Sequence, residues 1–142
     1  MREIKFRAWD DVLGMCEVIE IDFMSDTVEV GGKKTTHHYV PEEKRESYTL
    51  NIENANLMQY TGLKDKNGIE IYEGDVVSFE PNSIEYPEDI FIYEVVWFKQ
   101  NCSFLFKINN DRYDALDVSY QDRLEVIGNI YENPELLKDR KA

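Results

Sequence analysis

The stretch from Asn56 to Glu80, NLMQYTGLKDKNGIEIYEGDVVSFE, is the most informative part of this chain for its fold. Near its centre, Asn67 and Gly68 are residue types that tolerate the positive φ angles of a type I′ hairpin turn. Leu63 and Ile69 flank this pair and supply an apolar residue on each side. The stretch therefore predicts two antiparallel strands joined by a tight turn.

Two further glycines mark places where the backbone departs from a regular strand. Gly74, followed by Asp75 and two valines, predicts a corner whose conformation is closed to other residues. Gly128 lies inside the last predicted strand and indicates a bulge or a close backbone approach. A strand-turn-strand pattern ending in Gly-Asp-Val-Val is common in SH3-like barrels. We therefore expect residues 56–142 to form a small SH3-like, partly open β-barrel.

Alternating apolar and polar residues predict strands on both sides of this region. Residues 4–8 alternate in this way, and further short strands follow as an N-terminal β-meander. Residues 90–98 are apolar on both faces, which predicts a central strand covered on both sides that forms a hairpin with residues 102–108. Asn133 as a cap and Pro134 at the first helical position predict a short C-terminal helix. The predicted fold class is mainly β, a β-rich α+β arrangement.

The chain has the length of a single domain, with 142 residues. We predict one domain over residues 1–142, in which N-terminal strands within residues 1–55 pack with the barrel-like core of residues 56–142. Residues 33–53 are polar and show no clear periodicity, so we expect a mobile excursion there. A short helix after Pro41 is an alternative, because proline suits a first helical turn.

The chain is strongly acidic, with 29 acidic against 16 basic residues and a formal net charge of −13. Such a charge repels phosphate backbones and anionic lipids, which disfavours direct nucleic-acid binding and membrane binding. The first residues, MREIKFRAWDD, lack the apolar core of a signal peptide. We therefore expect a cytoplasmic protein, and the simplest interpretation of its excess acid is that it maintains solubility.

Neither the cysteines nor the histidines indicate a metal or a cofactor. Cys16 and Cys102 form no CxxC motif and are expected to be small buried apolar side chains without a disulfide. His37 and His38 are adjacent, so on a strand they would face opposite sides and could not easily hold one ion. We predict no cofactor and no metal site.

Catalytic motifs are absent from the sequence: there is no nucleophile elbow, no phosphate-binding glycine loop and no HExxH. Neighbouring carboxylates such as Glu73 and Asp75 are expected by chance in a chain with 29 acidic residues, so they do not by themselves indicate general acid-base catalysis. We therefore predict that the protein is not an enzyme. An enzyme without a recognisable motif stays open as an alternative.

Aromatic residues are the candidates for an interaction surface, because they carry much of the binding energy at interfaces. Trp9, Tyr60 and Tyr72 are predicted to line an exposed groove for a peptide or a sister subunit, and Trp97 is the fourth candidate. The predicted hairpin also offers a stacking platform for single-stranded nucleic acid, although a core hairpin is the simpler interpretation. The platform would consist of Trp97, Phe98, Phe104 and Phe106, interleaved with Lys99 and Lys107.

Three blocks of sequence carry a resemblance to a known family. They are REIKFRAWD at residues 2–10, LMQYTGLKDKNGIEIYEGDVV at residues 57–77 and VIGNIYENPELL at residues 126–137. In this order they resemble the YopX family of phage and prophage proteins. The resemblance implies a protein encoded by a bacteriophage or prophage and located in the bacterial host, with no established activity or catalytic residues to carry over.

Our leading hypothesis is a binding or assembly module whose partner is a bacterial host or phage protein. The alternative is an acidic decoy that imitates nucleic-acid phosphates and occupies a host DNA-binding protein. We also predict a homo-oligomer, a dimer in the first instance, built partly from the N-terminal strands or from residues 33–53. Many short strands leave edges that need covering, and a two-fold contact requires only one self-complementary patch.

Overall fold

The computed structural model describes residues 2–31, 46–81 and 89–138. These residues form mainly β-strands, arranged in two antiparallel sheets, which confirms the predicted fold class. The chain divides into two compact units, an N-terminal unit of Ile4–Gln59 and a C-terminal unit of Tyr60–Ala142 with Met1–Glu3. In the described part of the chain, no helix is long and apolar enough to cross a membrane.

The N-terminal unit is built on the predicted β-meander. Its strands lie in the order β4-β3-β2-β1-β5 and all neighbours are antiparallel. Their bounds are β1 Phe6–Asp10, β2 Gly14–Asp22, β3 Thr27–Gly31, β4 Ser47–Asn51 and β5 Leu57–Lys64, the last of which continues into the C-terminal unit. Alternation places one side chain in two on the apolar face, and the buried core of this unit consists of Ala8, Cys16, Val28, Val30 and Ala55.

Strand β4 corrects the prediction for residues 33–53. Residues 33–45, together with the predicted helix after Pro41, lie outside the described residues, but Ser47–Asn51 form a regular strand paired with β3. In this strand Tyr48 and Leu50 alternate with polar residues. Two apolar residues in a polar segment are too few to predict a strand from the sequence.

The C-terminal unit contains the second sheet, whose strand order is β10-β9-β8-β7-β11. The strands of this sheet are β7 Asp75–Phe79, β8 Phe91–Phe98, β9 Ser103–Lys107, β10 Tyr113–Ala115 and β11 Leu124–Asn129. Strand β6, Glu70–Tyr72, also belongs to this unit but pairs with β5 in the first sheet. The sheet ends at β10 on one side and at β11 on the other, so the partly open arrangement is not a closed barrel. The buried core of this unit is Ile71, Val77, Tyr93, Val95, Phe106, Ile108 and Leu124.

Strand β8 is central and forms a hairpin with β9, as predicted. The prediction that it is covered on both faces is wrong at Trp97, which is 46% exposed. Trp97 lies near the end of the strand, beyond Phe91–Glu94, the part that pairs with β7.

Three short 3-10 helices complete the described residues, at Ile52–Asn54, Val118–Arg123 and Pro134–Leu137. The last is the predicted C-terminal helix, with Pro134 in its first turn. Asn133, however, makes no side-chain capping bond there. Its side-chain oxygen instead accepts a hydrogen bond from the backbone N–H of Asn129, because the preceding chain turns sharply back toward it.

Candidate interaction surface

The central turn is organised by the carboxylate of Asp65, which is only 5% exposed. Its Oδ1 accepts hydrogen bonds from the backbone N–H of Asn67 at 2.8 Å and of Ile69 at 2.9 Å. Gly68 has a φ of 80°, whereas Asn67 is not among the described residues with positive φ. The predicted type I′ turn is therefore wrong, since that turn needs positive φ at both central residues and Asp65 holds Asn67 in an ordinary conformation.

The same turn binds the edge strand β11. The second oxygen of Asp65, Oδ2, accepts a hydrogen bond from the backbone N–H of Val126 at 2.9 Å. The backbone N–H of Lys66 donates to the carbonyl of Leu124 at 2.9 Å, and the Lys66 ammonium lies 3.3 Å from the Glu125 carboxylate. The central and final sequence blocks are thus joined directly by a side chain that the sequence reasoning missed.

The Gly74 corner has the special conformation that the sequence predicts, with a φ of 85°. The backbone N–H of Gly74 donates to the carbonyl of Val95 at 2.8 Å, and its carbonyl accepts from the N–H of Ile130 at 2.9 Å. Asp75 is fully buried, and its Oδ2 accepts a hydrogen bond from the backbone N–H of Tyr72 at 2.8 Å. The corner is therefore a junction between β6, β8 and the end of β11.

Gly128 lies at a bulge and at a close approach, as predicted. The register between β11 and β7 shifts between Val126 and Gly128. A Cβ atom at Gly128 would lie 2.5 Å from the side-chain oxygen of Asn133, a distance too short for two non-bonded atoms. The Oδ1 atom of the neighbouring Asn129 accepts hydrogen bonds from the backbone N–H groups of Tyr131 and Glu132. These two bonds close the turn that follows the strand.

A family model for the YopX protein matches residues 5–138. The chain belongs to the YopX family. No curated protein matches the chain.

Two solved structures resemble this YopX family member. Protein EF1440 from Enterococcus faecalis has 29% sequence identity and a TM-score of 0.61, over 97% of this chain and 100% of that chain. Protein YopX from Bacillus subtilis has 21% identity and a TM-score of 0.58, over 99% of this chain and 100% of that chain. At 21% identity the second similarity shows the fold alone.

The four predicted interaction aromatics differ in exposure. Trp9 is half-buried in the N-terminal unit, where its indole N–H donates to Asp11. Tyr60 is buried and its ring lies 5.5 Å from that of the half-buried Tyr72, so Tyr60 offers no exposed surface within its unit. Trp97 is the most exposed of the four.

The stacking platform on the β8–β9 hairpin is not formed by the four predicted aromatics together. Phe106 belongs to the buried core, and Phe98 packs against Tyr113 with ring centroids 4.6 Å apart. Trp97 and Phe104 remain, with an edge-to-face contact of 5.1 Å. These contacts agree with the simpler interpretation as a core hairpin.

The two cysteines are free thiols in different environments. Cys16 is buried. Its burial, and to a smaller extent the nearby charge of Asp10, raises the pKa of its thiol, so the thiol stays protonated at neutral pH. Cys102 is exposed, which contradicts the prediction that both are buried, because it lies in the turn between β8 and β9 with a φ of 49°. His37 and His38 lie outside the described residues.

One face of the N-terminal sheet gathers carboxylates. Glu20, Asp22 and Glu29 line a small polar depression with Thr27 and Thr49. Glu20 and Glu29 are direct cross-strand partners, and the repulsion between their two negative charges destabilises this pair. In the described ranges of the chain, no group of three or more histidine, cysteine or acidic residues is arranged to hold a metal ion.

The outer edge of β4 is the clearest candidate for an interaction surface. The strand is Ser47–Asn51, here called the β4 edge, and it carries no charged residue. Among the described residues it pairs with β3 alone. Within the strand, the hydroxyl of Tyr48 donates a hydrogen bond to the carboxylate of Glu46 at 2.6 Å, and this hydrogen bond raises the pKa of Tyr48.

Proposed function

We propose that this YopX family protein is a non-catalytic binding or assembly module, encoded by a bacteriophage or prophage, that works in the bacterial cytoplasm as a homo-oligomer. The observation that carries the proposal is the β4 edge, five uncharged residues with one strand neighbour among the described residues. An open strand edge presents unpaired N–H and C=O groups, which serve as a template for another chain.

The buried polar side chains support the non-catalytic part of the proposal. Within the described residues they are Asp65, Asp75 and Asn129. Each accepts a hydrogen bond from a backbone N–H group of its own unit. A general acid or base must instead reach a substrate in a pocket. These three side chains therefore support turns.

Sedimentation at tens of micromolar protein tests the proposed self-association. We expect a particle heavier than the 16.8 kDa monomer at both low and physiological salt, with tighter association at the higher salt. The reason is the net charge of −13, which opposes contact between copies and is screened beyond about 8 Å at physiological ionic strength. A particle of monomer mass at both salt concentrations would contradict this proposal.

A decoy of nucleic acid is a second candidate function, favoured by the acidic depression. Among the described residues of the N-terminal unit, nine side chains are acidic and two are basic. A surface of one sign can compete with phosphates for a basic partner protein. Under this hypothesis the partner is a DNA-binding protein of the bacterial host.

Elution of host proteins from a DNA resin tests the decoy. We expect the chain to release bound proteins, and the combined variant Glu20→Gln, Asp22→Asn and Glu29→Gln to release fewer, because it removes the charge of the depression. The matched control neutralises three exposed carboxylates of the C-terminal unit, Asp111, Asp114 and Asp122. Equal release by the two combined variants would argue against the acidic depression as the decoy surface.

A further inference from the structure

The sheet edges of the described residues differ in how they are protected from pairing with another chain. The outer side of β11 is occupied by the central turn, since Asp65 and Lys66 bond the backbone of Val126 and Leu124. Strands β10 and β6 have three residues each, and each contains a carboxylate. Short length, charge and cover by a turn are the usual ways in which proteins block an edge.

Among the described residues, the β4 edge has none of these protections. It is five residues long, and it contains no charge and no proline, although 32% of the chain is charged. Tyr48 and Leu50 lie on the apolar face of the sheet with their β3 partners Val30 and Val28. Ser47, Thr49 and Asn51 lie on the opposite, polar face.

The order of these residues makes the strand self-complementary. In an antiparallel pair of two copies centred on Thr49, all five residues find a partner: Ser47 lies opposite Asn51, Tyr48 opposite Leu50, and Thr49 opposite its own copy. Apolar side chains then meet apolar ones and polar side chains meet polar ones. A shift by one residue would place every polar side chain opposite an apolar one.

We infer that two copies of this chain associate through antiparallel pairing of their β4 strands about a two-fold axis at Thr49. This inference rests on the proposed self-association and names the strand and the register that produce it. A contact of five residues is small by the standard of stable interfaces, so we expect a dissociation constant in the micromolar range.

The charges near the strand are compatible with this arrangement. Glu29 lies beside Thr49 in the same sheet, so its copy in the partner would be three strand spacings away. At about 4.8 Å per spacing this is about 14 Å, which exceeds the screening length of about 8 Å at physiological salt. Glu46, just before the strand, would lie opposite Ile52 of the second copy and not opposite another acid.

Disulfide cross-linking tests the register directly. In the background Cys102→Ser, which removes the exposed thiol, Thr49→Cys would place two sulfur atoms on directly opposite residues, whose Cα atoms are about 4.5 to 5.5 Å apart. Ser47→Cys is the matched control, because Ser47 and its copy would be about 14 Å apart, too far for a disulfide. On mild oxidation we expect at least about tenfold more covalent dimer from Thr49→Cys.

A charge at the axis tests the energetic role of the strand. Thr49→Lys would place two ammonium groups opposite each other in the dimer, whereas within its own sheet the lysine lies opposite Glu29 and the fold is retained. We expect association to weaken at least about tenfold. Asn51→Lys is the control, since Asn51 would lie opposite Ser47, and it should weaken association less. Circular dichroism verifies the fold of both variants.

The outcomes separate the register from the self-association itself. Preferential cross-linking of Thr49→Cys, together with weakened association of Thr49→Lys, supports the inference. A dimer that persists in Thr49→Lys, or equal cross-linking of the two cysteine variants, overturns the β4 pairing and leaves self-association through another surface. A monomer at tens of micromolar overturns both.

Discussion

Replacing Asp65 by alanine is expected to destabilise the C-terminal unit by about 3–5 kcal/mol. The buried carboxylate accepts three backbone hydrogen bonds, from Asn67, Ile69 and Val126. Hydrogen bonds to a charged group are worth about 1.5–3 kcal/mol each, and their loss leaves N–H donors without an acceptor. One side chain also joins the central turn to β11, so both elements should loosen together.

Tryptophan fluorescence measures this loss unit by unit, because each unit contains one tryptophan, Trp9 or Trp97. In a Trp9→Phe background, denaturant unfolding followed at Trp97 should show the full effect of Asp65→Ala. The control Asp122→Ala removes an exposed carboxylate of the same unit and should change stability by less than about 0.5 kcal/mol. Similar unfolding midpoints for the two alanine variants would contradict the anchoring role of Asp65.

Replacing Gly128 by alanine is expected to cost about 1–3 kcal/mol, the usual range for an overpacked site. The added Cβ would lie 2.5 to 2.8 Å from three side-chain atoms of Asn133. Gly128 is not among the described glycines with positive φ, so the cost comes from the contact and not from the backbone conformation. The variant should therefore displace Asn133 and weaken its hydrogen bond from Asn129.

A double-mutant cycle checks this explanation. Asn133→Gly removes the obstructing side chain, so adding Gly128→Ala to it should cost less than the same change in the original chain. Gly31→Ala is the control in the other unit, where a Cβ would meet Ile19 at an ordinary 3.8 Å, and its effect on Trp9 fluorescence unfolding should be small. Additive costs of Gly128→Ala and Asn133→Gly would exclude the proposed contact.

The glycine positions and the strand pattern illustrate what could be predicted. Gly74 and Gly128 occupy the special backbone sites that their sequence contexts indicate, and β8 pairs with β9 as its apolar pattern predicts. The type I′ turn predicted at Asn67 was wrong, although the pattern Asp-x-Asn-Gly at residues 65–68 indicates the turn that is observed. An aspartate two residues before an asparagine can accept its backbone N–H and so hold an ordinary turn conformation.

The exposure of the aromatics could not be predicted in the same way. Tyr60 and Trp97 both lie in β-strands, yet Tyr60 is buried and Trp97 is exposed. Trp97 lies near the end of β8, whereas the ring of Tyr60 packs against that of Tyr72. The same applies to the β4 edge, because a strand pattern says nothing of whether both sides of the strand are paired.

The sequence by itself determined the mainly β fold, the β8–β9 hairpin and the glycines at its corners, because these depend on side-chain alternation and local backbone sterics. Only the tertiary structure decided that Asp65 bonds Val126, 61 residues further along the chain, and that Ser47–Asn51 is the last strand of the described sheet. Such features depend on which distant segments meet, and local preferences do not specify that pairing.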